Sequence, residues 1–147
     1  MITSRLQPVM DSLIDMNQAA FVPGRVLNDN ILLGHELIKE YGRKRISPTC
    51  MVKIDMQKAY DSLEWGFLEQ VLTELNIPEK FLLWIMTHVT TVSYSIVINS
   101  KPTAPFDAKR GVRQGDPLSP YLFVLTMEYL TRILKTLKDR PDFNYHP

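Results

Sequence analysis

Two stretches of this chain carry residue types that could do chemistry, and about 50 residues separate them. The first holds Asp55, which ends the short apolar run Cys50-Met51-Val52-Lys53-Ile54 and precedes a helical pattern. A carboxylate at the end of a strand faces outward, where its oxygens could hold a hard cation. The same position also suits a solvated acid or a helix cap, and Asp61 reads first as a cap. Between them stand Lys58, Ala59 and Tyr60. The second stretch is Arg110-Gly111-Val112-Arg113-Gln114-Gly115-Asp116-Pro117-Leu118-Ser119-Pro120. Two glycines, an amide, two cations and two prolines make a stiff loop with exposed backbone amides, fit to hold phosphate or a nucleobase. An ordinary loop leading into a helix has the same composition. There is no Gly-x4-Gly-Lys-Ser/Thr run, so it is not a P-loop.

The elements that must position these residues are legible in the apolar spacing. Residues 2–16 read as a helix through Leu6, Val9, Met10, Leu13 and Ile14. A loop containing Pro23-Gly24 follows. Asn28 or Asp29 then caps a helix through Tyr41, with Gly42 as its terminator. Arg43-Lys44-Arg45 and Pro48 form a basic loop. The alternation of Cys50, Val52 and Ile54 predicts a half-buried strand over residues 50–55. A helix is expected from Asp61 or Ser62, with Asp61 and Glu64 as a capping-box pair, through Trp65, Leu68, Leu72 and Leu75. Trp65 and Phe67 read as core residues. Asn76 and Pro78 stop that helix, and a second one follows with Phe81, Leu82, Ile85, Met86 and Val89 inward. Val92 to Ile98 alternates as a strand that turns at Asn99 to Pro102 and pairs back through Ala108. Ser119 as N-cap and Pro120 open a long helix with Leu122, Leu125, Tyr129, Ile133 and Leu137 inward. This order is α+β rather than a repeating βαβ pattern.

Composition narrows the chemistry. At 147 residues and 45% hydrophobic the chain can bury a core as a single domain. One cysteine excludes an internal disulfide framework, and three scattered histidines offer no zinc-ligand spacing. The net charge of +1 supplies no overall field toward nucleic acid or an anionic membrane, so any such binding falls to local basic loops. No secretory signal is recognisable, and the most apolar stretch, Phe81 to Ile98, is too polar to span a membrane. An intracellular chain, nuclear or cytoplasmic, without membrane partners is the expectation.

The two stretches together resemble a known family. Asp55-Met56-Gln57-Lys58-Ala59-Tyr60-Asp61 and the later Arg113-Gln114-Gly115-Asp116-Pro117-Leu118-Ser119-Pro120 are similar to blocks of the reverse transcriptase domain of non-LTR (LINE-type) retrotransposons, plant elements especially. Gln18-Ala19-Ala20-Phe21-Val22-Pro23-Gly24-Arg25 and Asp29-Asn30-Ile31 match the upstream block in the same order. The resemblance implies the fingers and palm part of a right-hand polymerase, acting on an RNA template, a DNA primer and a dNTP. It makes Asp55 the catalytic palm carboxylate and a ligand of two Mg2+ ions, with the Met56 carbonyl beside it. Lys58, Ala59 and Tyr60 would lie along the incoming triphosphate and sugar, Tyr60 at the steric-gate position. Gln114 and Gly115 would meet the nucleotide and the templating base. Arg110 and Arg113 would contact phosphates, and Arg25 matches a substrate-side position.

One block of the family pattern has no counterpart. The aromatic-Ala-Asp-Asp turn that supplies the other metal carboxylates is missing, since the sequence holds no Asp-Asp pair. It would follow a stretch like Asp142 to Pro147, so residues 1–147 are expected to be a domain incomplete at both ends, working with the rest of a polymerase chain. The chain by itself is then expected not to polymerise. The alternative is a non-catalytic, retrotransposon-derived remnant that binds nucleic acid or a protein through Arg43 to Arg45 and Lys109 to Arg113.

Overall fold

The computed structural model describes residues 1–40 and 52–143. The expected helix end at Tyr41-Gly42, the basic loop Arg43 to Arg45 with Pro48, Cys50 and Met51, and Asn144 to Pro147 lie outside the described residues.

The N-terminal segment is helical but broken in its middle: α1 (Ile2–Leu6), a 3-10 turn (Gln7–Val9), then α2 (Met10–Leu13). Pro8 explains the break, because it has no N–H to donate and crowds the carbonyl one turn back. Leu6, Met10 and Ile14, spaced four apart, form the buried stripe, whereas Val9 stays exposed, contrary to the apolar pattern. Helix α3 (Leu27–Glu40) begins one residue ahead of the expected Asn28 cap. Its apolar residues, Leu27, Ile31, Leu32, Leu33, Leu37 and Ile38, point to both sides and are all exposed.

Helix α4 (Trp65–Glu74) starts later than the Asp61/Glu64 pattern predicts, and no side chain caps it. The residues before it are taken up by a tight turn: Lys58 has φ +52, and the Ser62 N–H donates to the Lys58 carbonyl at 3.0 Å. Asn76 ends the helix as expected. It adopts φ +55, and the Ile77 and Asn76 amides donate back to Leu72 and Thr73 at 3.1 and 2.9 Å, the double closure of a Schellman cap. Helix α5 (Glu79–Thr90) buries Ile85 and Val89. Helix α6 (Ser119–Lys135) buries Leu122 and Leu125 as expected, but its stripe continues through Val124, Thr126 and Glu128. Tyr129 and Ile133 are exposed instead. Phe67, expected in the core, is also exposed and meets Tyr129 edge-on at 5.4 Å between ring centroids. Trp65 is half-buried against the core.

The core lies where α4 packs on α5 and α6, closed on one side by the N-terminal segment through Leu6 and Met10. The strands are outside it. β1 (Ser93–Tyr94) pairs antiparallel with β4 (Phe106–Asp107), and β2 (Val97–Ile98) with β3 (Lys101–Pro102). Asn99 and Ser100 at φ +51 and +63 make the two-residue turn. The expected strand over residues 50–55 is not formed in its described part. Residues 52–56 have no ladder partner among the described residues, and Val52 and Ile54 face solvent. Alternating apolar residues mark the face a strand would bury, but a strand exists only when another backbone pairs with it.

Charge fixes the N-terminal segment on α6. Glu128, only 5% exposed, accepts the Asp15 amide at 2.9 Å and the Arg132 guanidinium at 2.9 Å. Arg132 also donates to the Leu13 carbonyl at 3.3 Å, and Lys135 pairs with the Asp15 carboxylate. The Lys135 hydrogen bond and the Asn17 amide hold the Asp15 carboxyl below its ordinary value of 3.8. A depressed carboxyl pKa contributes stability above the unfolded value and loses it as pH falls through the native one. The urea midpoint is therefore expected to fall as pH drops below about 4, and to fall less steeply in Lys135→Gln. Equal pH slopes in the two proteins would show that this pair does not couple to folding.

Candidate functional site

The two candidate stretches, far apart in sequence, meet through backbone hydrogen bonds. The Gly111 N–H donates to the Leu63 carbonyl at 2.7 Å, and the Val112 N–H donates to the Tyr60 carbonyl at 2.9 Å. The Trp65 indole N–H returns to the Gly111 carbonyl at 2.7 Å. Gly111 has φ +84, and a Cβ there would sit 3.0 Å from the Tyr60 carbonyl oxygen and 3.1 Å from the Asp61 Cα. Only glycine allows two backbones this close. Val112 is buried beneath the junction. The Tyr60 ring is half-buried and meets Phe123 of α6 edge-on at 5.4 Å, so its position is set by the helix that follows the second stretch.

Around this junction the other residues divide. Asp55 and Met56 lie on the exposed extended segment leading into the turn, Lys58 is exposed, and Ala59 is half-buried beside Tyr60. Gln114 and Gly115 form the exposed tip of the second loop, with Gly115 at φ +87. Arg113 is exposed next to them, and its carbonyl accepts the buried Ser119 hydroxyl at 2.6 Å. Arg110 reaches Glu64 at 3.4 Å, but both side chains are 63% exposed, and a solvated pair of that kind adds little. Arg25 is not brought to this junction. Its guanidinium donates to the Asp11 carboxylate at 2.7 Å and to the carbonyls of Ile14, Asp15 and Gln18, binding the loop to the N-terminal helices.

Sequence reasoning missed His88 and the role of Asp116. The Asp116 carboxylate accepts the Leu118 amide at 2.8 Å in the turn that enters α6, where Ser119, the expected N-cap, is instead the first helical residue, and its other oxygen meets His88 Nε2 at 2.7 Å. Burial raises the Asp116 pKa, but the Leu118 amide, His88 and Arg113 outweigh it, and the carboxyl lies below its ordinary range. His88 thus ties α5 to the loop that presents Gln114. A lone histidine 28 residues away carries no spacing signal, so only the fold could reveal it.

Among the described residues no three histidine, cysteine or carboxylate side chains converge on a point that could hold a metal ion. The site, as built by this chain, is an arrangement of backbone amides, an amide side chain, cations and carboxylates that do not gather in threes.

The sequence matches the family described as reverse transcriptase (RNA-dependent DNA polymerase) over residues 1–144. It is 31% identical over 134 residues to the Transposon TX1 uncharacterized 149 kDa protein of Xenopus laevis, covering 91% of this chain and 10% of that protein. It is also 31% identical over 125 residues to the Retrovirus-related Pol polyprotein from type-1 retrotransposable element R2 of Nasonia vitripennis, covering 83% of this chain and 12% of that one. A shorter match of 44 residues, at 43% identity, links it to the uncharacterized mitochondrial protein AtMg01250 of Arabidopsis thaliana, covering 30% of this chain and 36% of that protein. The chain spans 10% and 12% of the length of the first two relatives.

Proposed function

The chain belongs to the reverse transcriptase family, and from that membership we propose that residues 55–61 and 110–119 form the nucleotide-handling face of a template-directed DNA polymerase of the non-LTR retrotransposon type. The observation that carries this reading is the junction itself. Two segments with separate expected duties, sugar and phosphate for one and base for the other, are locked together by the bonds between Tyr60, Leu63, Gly111 and Val112. In this reading Asp55 is the catalytic carboxylate with the Met56 carbonyl beside it, and Lys58, Ala59 and Tyr60 bound the triphosphate and sugar. Gln114 and Gly115 meet the base, and Arg110 and Arg113 take phosphates. Arg25 acts at a distance, by fixing the loop it clamps. The substrates are an RNA template, a DNA primer and a dNTP, the remaining partner is the rest of a polymerase chain, and the segment is the fingers and palm part of a right-hand fold. The short Arabidopsis match supports a plant element as the source.

Polymerases of this kind use Mg2+ to activate the primer hydroxyl and stabilise the leaving group. The residues described here do not fit that pair of ions. Asp55 is an exposed carboxylate, and among the described residues no three histidine, cysteine or carboxylate side chains gather to hold a metal ion. What this chain contributes is therefore placement: a rigid junction, a ring held at the sugar, and a loop whose amides and arginines face an anionic substrate. Among the described residues no helix is long and apolar enough to cross a membrane.

Residues 1–143 substituted for the matching segment of the R2 polyprotein of Nasonia vitripennis test the reading. The chimaera is expected to extend a DNA primer on an RNA template. A chimaera that melts cooperatively, binds primer–template and extends nothing would overturn it.

A further inference from the structure

We propose that the hairpin from Ser93 to Asp107 is a binding platform for single-stranded RNA, with the rings of Tyr94 and Phe106 stacking on bases and Lys101, Lys109 and Arg113 taking phosphates. Tyr94 and Phe106 are direct cross-strand partners, so both rings stand on one face of the ribbon. Their centroids are 6.2 Å apart, and the side chains are 40% and 48% exposed. Neither ring is part of the hydrophobic core. A two-stranded ribbon is marginal by itself in water, yet this one is held in shape by side-chain bonds. The Ser95 hydroxyl donates to the Thr103 carbonyl at 2.6 Å, the Ile96 amide to the Thr103 hydroxyl at 3.0 Å, and the Ala108 amide closes the base on Val92 at 3.0 Å.

Charge identifies the occupant. Over residues 93–113 the chain carries Lys101, Lys109, Arg110 and Arg113 against Asp107 alone, although the whole chain is nearly neutral at +1. An open pair of aromatic rings on a segment with an excess of cations matches a ligand with π-faces on an anionic backbone, which is a nucleic-acid single strand. A duplex hides those faces. The hairpin also adjoins the candidate site: Tyr94, Ala108, His88, Arg113 and Asp116 line one small, water-sized pocket. Tyr94 therefore stands beside the loop that carries Arg113 and Asp116. The choice of RNA over DNA rests on the polymerase reading above; the platform itself rests on the hairpin.

Fluorescence anisotropy with a labelled oligouridylate of about 12 nucleotides and the 147-residue chain tests it without any polymerisation. Binding is expected for the single strand over a duplex of equal length. Phe106→Leu keeps apolar bulk on the hairpin but removes the π-face, and is expected to weaken binding roughly 5- to 150-fold. Tyr94→Phe, which keeps the ring, should stay within about twofold. Arg113→Gln should reduce the salt slope by about 0.7. Absence of binding, equal affinity for the duplex, or indifference to Phe106→Leu in a protein that still melts cooperatively would overturn the proposal and leave the chimaera result untouched. Tighter binding of the matching DNA strand would overturn the choice of RNA. Self-association abolished by Phe106→Leu with RNA binding unchanged would assign the face to a second copy of the chain.

Discussion

Primer extension by the 147-residue chain is expected to stay at background with Mg2+ and with Mn2+, while the R2 chimaera extends and its Asp55→Asn variant falls by on the order of 10^3 or more. Mg2+ demands about six oxygen ligands and usually takes one or two of them from carboxylates. Two such ions held roughly 3.5–4 Å apart beside a triphosphate need several negative charges converging on them. This sequence has no Asp-Asp pair, and among the described residues no three potential ligands converge around a metal position. The Asn variant separates role from folding. Asp55 is exposed, so exchanging its carboxylate for an amide of equal size should leave the melting transition in place. Loss of extension in a folded chimaera then reports the missing charge. Template-dependent extension by the 147-residue chain, abolished by Asp55→Asn, would show that one carboxylate suffices.

How much of this was legible in the sequence depended on whether the deciding interaction was local. Asn76 and Pro78 fixed the boundary between α4 and α5 because a helix end is a matter of a few dihedrals, and the Schellman closure uses only neighbours. The turn was readable at Asn99 for the same reason, but it closes in two residues, and Lys101 and Pro102, expected in the turn, already pair as a strand. Long-range partners were not. The 50–55 pattern needed a second strand that no local rule supplies, and α3 presents apolar residues on both sides with no way to tell from spacing what each side meets. On α6 the periodic reading placed Tyr129 and Ile133 inward. The helix instead buries Glu128, because that carboxylate satisfies the Asp15 amide and Arg132, a demand arising 113 residues away. Of the candidate site, the residue types of both motifs were legible. Their junction was not, and neither was Arg25, whose cation is consumed by carbonyls of its own loop.

Gly111→Val is expected to cost roughly 2–4 kcal/mol of stability, whereas Gly115→Ala should cost about 1 kcal/mol, although both glycines sit at nearly the same backbone angle. The φ values, +84 and +87, impose a similar intrinsic penalty on any side chain. The difference lies in what a Cβ would meet. At Gly115 there is nothing within 4 Å, because the loop tip stands in solvent. At Gly111 the Tyr60 and Asp61 carbonyl oxygens and the Asp61 Cα lie at 3.0–3.1 Å, all of them backbone. Backbone cannot rotate away as a side chain can, so relief requires the two segments to separate and to stretch the 2.7 Å bond from Gly111 to Leu63. Separation also withdraws the Gly111 carbonyl from the Trp65 indole, which gives a local reporter. In a Trp84→Phe background, Gly111→Val should shift Trp65 emission and lower the urea midpoint together, and Gly115→Ala should leave the emission unchanged. A Gly111→Val protein as stable as Gly115→Ala, with unshifted emission, would mean that the two motifs are not clamped in solution and that the nucleotide-handling face is assembled by something other than this junction.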